Sequence, residues 1–108
     1  MKINVLGTEY CVETSNAELD ENLIDSDGYC DTSIKVCIID EMKESGAGFK
    51  DNMQAHKKQV IRHELVHAFF HESGLSANCE FAKNEILVDW IAIQFPKMLK
   101  AFREADAL

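Results

Sequence analysis

The chain has 108 residues, of which 46% are hydrophobic and 28% charged, values typical of one globular domain and not of a disordered chain or a membrane span. Its formal net charge of −8 argues against direct binding of nucleic acid, because the phosphate backbone repels an acidic surface. We therefore expect a single domain over residues 1–108, with no membrane segment and no nucleic-acid partner.

The first forty residues have the pattern of β-strands. Strands are predicted at residues 2–6, 9–13 and 29–39, the last around a bend. Ile34, Val36 and Ile38 alternate with their neighbours in the period of two that marks a strand with one buried face. We expect a small antiparallel sheet of three or four strands, with residues 34–39 as the candidate edge that pairs with an extended peptide.

Residues 42–50 contain two glycines without periodicity and are predicted to be a flexible connector. From there the pattern becomes helical. Asp51 is predicted to cap a first helix that runs until Gly74, a residue suited to the left-handed conformation at helix ends. Asn78 is predicted to cap a second helix, which Pro96 should end or kink before a short amphipathic helix.

Aromatic residues recur at helical spacing in this half of the chain, which predicts that they pack between the helices as core. They are Phe69, Phe70, Phe81, Trp90 and Phe95.

The four cysteines, Cys11, Cys30, Cys37 and Cys79, lie inside apolar patterns and form no C-x-x-C pair, which favours reduced thiols. The N-terminal residues lack the long apolar core of a signal peptide. We expect a cytoplasmic protein, with a disulfide between Cys30 and Cys37 as the open alternative.

The stretch HELVHAFFH, residues 63–71, contains the pattern H-E-x-x-H. On a helix His63 and His67 project from one face, separated by about 40° and about 6 Å. Two imidazoles so placed can bind one zinc ion, and Glu64 can reach a water molecule at an open coordination position. The alternative is a helix with an ordinary polar stripe.

A catalytic zinc site needs a third protein ligand, and the pattern N-E-x-x-x-D at residues 84–89 supplies one. Glu85 and Asp89 are four residues apart, so one carboxylate can bind the metal while the other accepts the second ring N–H of a liganding histidine. Glu72 and Glu80 are the alternative third ligands, but neither has an Asn before it and an Asp four residues after it.

Together the two motifs resemble the gluzincin metallopeptidases, and more narrowly the ImmA/IrrE family of small bacterial and phage-borne gluzincins. HELVHAFFH is similar to that family's H-E-x-G-H-x-x-L-H, with His71 at the final His, and EILVDWIA is similar to its E-x-x-A-N-x-F-A. The chain departs from the family pattern at Val66 for Gly, Val88 for Ala and Asp89 for Asn. The resemblance covers roughly residues 63–92.

This resemblance implies an α+β, minimal zincin-like fold, in which a small antiparallel sheet precedes two main helices and a short C-terminal helix. It implies Zn²⁺ as cofactor, His63, His67 and Glu85 as its ligands, Glu64 as general base and Asp89 as the residue that orients a ligand. The implied activity is hydrolysis of peptide bonds. Relatives often cleave or inactivate regulatory proteins, so a protein or peptide substrate such as a transcriptional repressor is the expected partner.

Several alternatives stay open. The chain could be a zinc-binding regulatory or interaction module with little proteolytic activity, or a metal-free helical interaction protein. Manganese, iron and cobalt are alternatives to zinc. His71 either lines the site or has a structural or surface role, while Tyr10 and Tyr29 are candidate donors to an oxyanion. His56, near the helix start, is expected to be exposed.

Overall fold

A computed structural model describes residues 1–42 and 52–108 of the chain. The fold is α+β, with four strands followed by helices: β1 Lys2–Val5, β2 Thr8–Ser15, β3 Gly28–Asp31, β4 Val36–Asp40, α1 Met53–Glu72, α2 Leu75–Asn78 and α3 Glu85–Glu104. Two short 3₁₀ segments occur at Glu21–Leu23 and Glu80–Lys83. Of the predicted connector only Met42 is described, and the predicted cap Asp51 also lies outside the described residues.

None of the helices in the described part of the chain is both long and apolar enough to cross a membrane.

The sheet is mixed, with the strand order β1-β2-β4-β3. The pairs β1–β2 and β3–β4 are antiparallel, but β2 and β4 are parallel, so the prediction of an antiparallel sheet was wrong. The reason is topological: β3 lies at the outer edge of the sheet, and β4 lies between β3 and β2 and runs in the same direction as β2.

The same topology overturns the predicted edge at residues 34–39. Strand β4 is hydrogen-bonded on both sides, while β3 forms the edge. Ile34 precedes β4 and is 66% exposed. On this side of the sheet, β3 is therefore the strand available to pair with an extended peptide.

The core lies between the sheet and α1. Its buried members are Val5, Tyr10, Val12, Cys37, Ile39 and, from α1, Ala68. A glycine allows the edge strand to approach this helix closely. A Cβ added at Gly28 would come within 3.0 Å of the Ile38 carbonyl oxygen and of the Val60 side chain.

Helix α1 begins after Asn52, whose side-chain oxygen accepts a hydrogen bond from the Ala55 N–H. It ends just before Gly74, where a φ of 80° confirms the predicted helix end. His56, in the first turn, is not simply exposed, because its Nε2 lies 2.7 Å from Asp27 Oδ2. This contact ties the start of α1 to the segment that leads into β3.

The start of α3 differs from the prediction. Its N-cap is Asn84, whose side-chain oxygen accepts the N–H groups of Ile86 and Leu87. The predicted cap Asn78 instead donates its side-chain amide to the Gly74 carbonyl at the other end of α2. The cap of the second long helix therefore lies six residues later than predicted, at the first residue of the N-E-x-x-x-D motif.

Helix α3 also continues through Pro96 to Glu104, so the prediction that the helix ends there and the separate C-terminal helix were wrong. A proline removes the N–H that would bond to the carbonyl four residues earlier, here that of Ala92. The Arg62 Nε–H donates to this carbonyl oxygen at 2.6 Å instead. The arginine thus satisfies the group that would otherwise make the proline costly, and it ties α3 to α1.

Much of the aromatic surface of the helices is exposed. The exposed fractions are 40% for Phe69, 56% for Phe81, 53% for Trp90 and 48% for Phe95. The prediction that these four residues form core was therefore wrong. Phe70, the fifth aromatic residue of the set, is half-buried. The physical reason is that α3 packs mainly on α1 and buries one stripe, which includes Val88 and Ala92. Ile86, Trp90, Ile93, Phe95 and Phe102 of this helix are exposed.

Candidate metal centre

The regular geometry of α1 places His63 and His67 on one face. Their ring centroids are 5.0 Å apart, and both side chains are about three-quarters buried or more, with 20% and 24% exposed. Both Nε2 atoms point toward the N-terminal end of α3, where Glu85 is the first helical residue.

Glu85 brings its carboxylate to both histidines. Its Oε2 lies 2.9 Å from His63 Nε2, and its Oε1 lies 3.1 Å from His67 Nε2. One ligand atom from each of the three residues falls within 4.8 Å of the others. These three side chains therefore form a group that could hold a metal ion, and we call them the metal-binding group.

The donor set and spacing fit such an ion. Ligands bound at about 2.0–2.1 Å around a tetrahedral ion lie about 3.3 Å from one another, close to the two contacts that Glu85 makes. Two imidazoles and one carboxylate leave a fourth position open, as in catalytic zinc sites.

Asp89 acts on the other ring nitrogen of His63. Its Oδ1 lies 3.1 Å from His63 Nδ1. A carboxylate there favours the tautomer whose proton is on Nδ1, which leaves the Nε2 lone pair free for a metal. Asp89 lies one helical turn after Glu85, so α3 carries both carboxylates on one face.

Glu64 is 5% exposed, and among the described residues it is the one charged residue that is buried. The pKa of its carboxyl is raised to about 7, mainly by burial; His63 opposes the shift, and the negative charge of Glu85 adds to it. A carboxyl group in this range exchanges protons with water near neutral pH. A cation bound nearby would lower this pKa by attracting the carboxylate form.

A cleft of about 540 Å³ lies between α1 and the edge strand β3. One side is formed by the segment around β3 and the other by the helices. Its lining residues are Ser26, Gly28, Tyr29, Cys30, Thr32, His63, Glu64, His67, His71, Ser76 and Glu85. The metal-binding group and Glu64 thus open onto one surface, and His71 lines it as well.

The rival ligands lie elsewhere. Glu72 accepts hydrogen bonds from the Tyr10 hydroxyl at 2.7 Å and from Lys35 Nζ at 2.8 Å. These bonds, that of Lys35 first, lower the pKa of Glu72 to about 2. Glu80 lies in a 3₁₀ segment and does not belong to the metal-binding group.

The two tyrosines differ in position. Tyr10 is fully buried, and its hydroxyl is bonded to Glu72, which keeps it away from the cleft. Tyr29 lines the cleft, but its hydroxyl donates to Asp20, and this bond raises the pKa of the tyrosine. Neither hydroxyl is free to donate to an oxyanion in this arrangement.

Strand β3 contributes site residues that the motifs did not select. Cys30, in the cleft lining, lies directly opposite Cys37 in the β3–β4 register, and both are free thiols. The Cys37 thiol also approaches the backbone carbonyl of Glu64 at 3.8 Å. Cys30 and Cys37 face each other because of the turn between β3 and β4, which is the bend predicted within residues 29–39.

No protein-family model, curated protein or solved structure matches this chain.

Proposed function

We propose that this protein is a zinc metallopeptidase of the gluzincin type. The convergence of His63, His67 and Glu85 within 4.8 Å carries the proposal, because two imidazoles and one carboxylate with an open position form a catalytic donor set. The position of Glu64 in the same cleft supports it, since a purely structural site needs no base. The resemblance of residues 63–92 to the ImmA/IrrE motifs points to the same chemistry.

Bound zinc would supply Lewis-acid chemistry, polarising the scissile carbonyl and making a water molecule more acidic. His63, His67 and Glu85 would hold the ion, and Asp89 would keep the proton of His63 on Nδ1. Glu64 accepts the proton of the attacking water and passes it to the leaving amine. Burial favours the protonated form of Glu64 between the two transfers and opposes the effect of the cation, which favours the carboxylate.

The exposed edge of β3 is suited to position an extended peptide across the cleft. Main-chain hydrogen bonds to an edge strand bind a peptide with little dependence on its sequence. Strand β3 borders the cleft, so a peptide paired with it would pass next to the metal-binding group.

The charge near this edge favours a basic segment of the substrate. No Lys or Arg occurs between residues 20 and 31, whereas Asp20, Glu21, Asp25, Asp27 and Asp31 all fall there. Complementary charge attracts and orients a partner. A DNA-binding repressor, whose surface is basic, is a substrate of this kind.

The second candidate is a zinc-binding interaction module with little proteolysis. The exposed aromatic surface favours it: an apolar groove of about 440 Å³, which includes Phe69 and Phe95, lies between α1 and α3. Exposed apolar patches of this kind often mark protein interfaces.

Zinc content separates these proposals from a metal-free protein. We expect near-stoichiometric zinc by elemental mass spectrometry in the wild type and in Glu64→Gln, and loss of zinc in His67→Ala and Glu85→Ala. Glu80→Ala is the matched control and should retain zinc. A wild type without zinc, even after reconstitution, would remove both proposals.

Cleavage separates the peptidase from the module. Zinc-loaded wild type should cleave peptides from an unstructured synthetic library enriched in Lys and Arg, and Glu64→Gln should not. Cleavage that persists in purified Glu64→Gln would exclude Glu64 as the base. Zinc binding without cleavage by the wild type would favour the interaction module.

A further inference from the structure

Helix α3 exposes a second apolar surface, distinct from the groove that contains Phe95. It consists of Ile86, Trp90 and Ile93, which are 81%, 53% and 38% exposed. We call these three residues the Trp90 face. Their spacing of four and three residues places them on one side of the helix, where they form a continuous stripe.

The Trp90 face borders the metal-binding group. Its side chains line an apolar depression of about 450 Å³ together with His63, Glu85 and Asp89. Two of these residues, His63 and Glu85, also line the main cleft beside β3. The metal-binding group therefore lies between a polar cleft on one side and an apolar surface on the other.

The dimensions match a bound polypeptide. Trp90 follows Glu85 by about 7.5 Å along the helix axis and Ile93 by about 12 Å, at 1.5 Å per residue. An extended peptide advances about 3.3 Å per residue. A chain that crosses the metal-binding group would thus reach the Trp90 face with side chains about two to four residues from the bond at the metal.

Exposed apolar residues give up the stabilisation that their burial would contribute, and a binding role explains why these three are exposed. Single exposed apolar residues are common, but a continuous apolar stripe beside polar convergent groups is typical of ligand sites. An isoleucine that is 81% exposed does not contribute to the core.

We propose that the Trp90 face is a substrate subsite that binds an apolar side chain, aliphatic or aromatic, of the polypeptide whose scissile bond lies at the metal-binding group. This inference rests on the proposed peptidase function and narrows its substrate class. The preferred substrate then combines a basic segment along β3 with an apolar side chain on the far side of the metal.

Trp90 is the single tryptophan of the chain, so its fluorescence reports binding without any need for cleavage. The probes are three-residue peptides with a hydroxamate at the C-terminus or, as a malonyl hydroxamate, at the N-terminus. They extend from the metal in opposite directions, and each is made in a leucine and a serine version. Affinities for the zinc-loaded full chain are measured by calorimetry and by Trp90 emission.

In one of the two orientations we expect the leucine probe to bind about tenfold more tightly than the serine probe, or better, as burial of one aliphatic side chain implies. That probe should also shift Trp90 emission to shorter wavelength. By calorimetry, Trp90→Ala should lose most of the preference for leucine, and Ile86→Ser should reduce it. Phe95→Ala is the matched control on the same helix and should keep it.

Three results would overturn the inference, in distinguishable ways. Equal binding of leucine and serine probes in both orientations, with zinc still required, would exclude the subsite and leave the peptidase proposal standing. Failure of every hydroxamate to bind the zinc-loaded protein would overturn the subsite and the proposed function together. Equal loss of the preference in Phe95→Ala and Trp90→Ala would also exclude the subsite, because the effect would not be local.

Discussion

The contact between Arg62 and the Ala92 carbonyl decides how α3 tolerates a proline in its interior. The carbonyl belongs to a fully buried residue, and Pro96 has no N–H to donate to it. Arg62 Nε supplies the missing hydrogen bond at 2.6 Å. Arg62 is adjacent to His63, and Ala92 lies about one turn after Asp89, so this bond also holds together the two helices that carry the metal-binding group.

Replacing Arg62 by methionine removes the donor and keeps an apolar side chain of similar length in the groove. The buried carbonyl is then left without a partner, which costs about 1–3 kcal/mol of folding free energy. For a domain of this size each kcal/mol lowers Tm by roughly 4–8 °C. Thermal and urea unfolding followed by circular dichroism measure both quantities.

A double-mutant cycle with Pro96→Ala tests the reason for the loss. Alanine at position 96 restores an N–H for the Ala92 carbonyl, so Arg62→Met should cost little in that background. We expect a coupling free energy of about 1 kcal/mol or more between the two substitutions. An equal cost of Arg62→Met in both backgrounds would refute the reasoning, because the arginine would then stabilise the fold by some route other than this carbonyl.

Three further outcomes follow from contacts near the site and at the C-terminal end of α1. Asp89→Ala should weaken zinc binding about 10- to 100-fold, because it removes the carboxylate at His63 Nδ1. Competition with a chromogenic chelator measures the change in affinity, and an unchanged affinity would exclude the orienting role of Asp89. Tyr10→Phe should lower the free energy of unfolding in urea by about 1.5–3 kcal/mol, because it removes a buried hydroxyl bonded to a carboxylate. A decrease below roughly 0.5 kcal/mol, about the limit of such measurements, would contradict this. The pKa of Glu72 is lowered to about 2 in the folded protein, so its ionised form stabilises the fold fully above the ordinary carboxyl pKa of about 4.3 and loses this effect as pH falls toward 2. The Tm difference between wild type and Glu72→Gln should therefore be largest above about pH 4.5 and shrink in acid, and a difference independent of pH would show that ionisation of Glu72 does not matter.

The local features of this protein could be predicted from short stretches of its sequence. His63 and His67 share a helix face because of their spacing alone, and Gly74 ends α1 because it readily adopts a positive φ. The three side chains that the two motifs select as ligands lie together. The first two predictions depend on helix geometry, which a few neighbouring residues determine. The meeting of Glu85 with the two histidines is a contact between α3 and α1, which the packing of the helices provides.

Non-local packing decided the rest. Which strand forms the edge, β3 or β4, depends on which strands lie next to each other in the sheet, and alternation within one strand carries no information about its neighbours. The helix passes Pro96 because Arg62, more than thirty residues away, supplies the missing donor. Trp90 and Phe95 are exposed because α3 packs mainly on α1, whereas their helical spacing suits a buried stripe equally well. The sequence by itself determined the chemistry of the candidate site, and only the tertiary structure decided its surroundings, because burial and strand order depend on contacts between residues far apart in the chain.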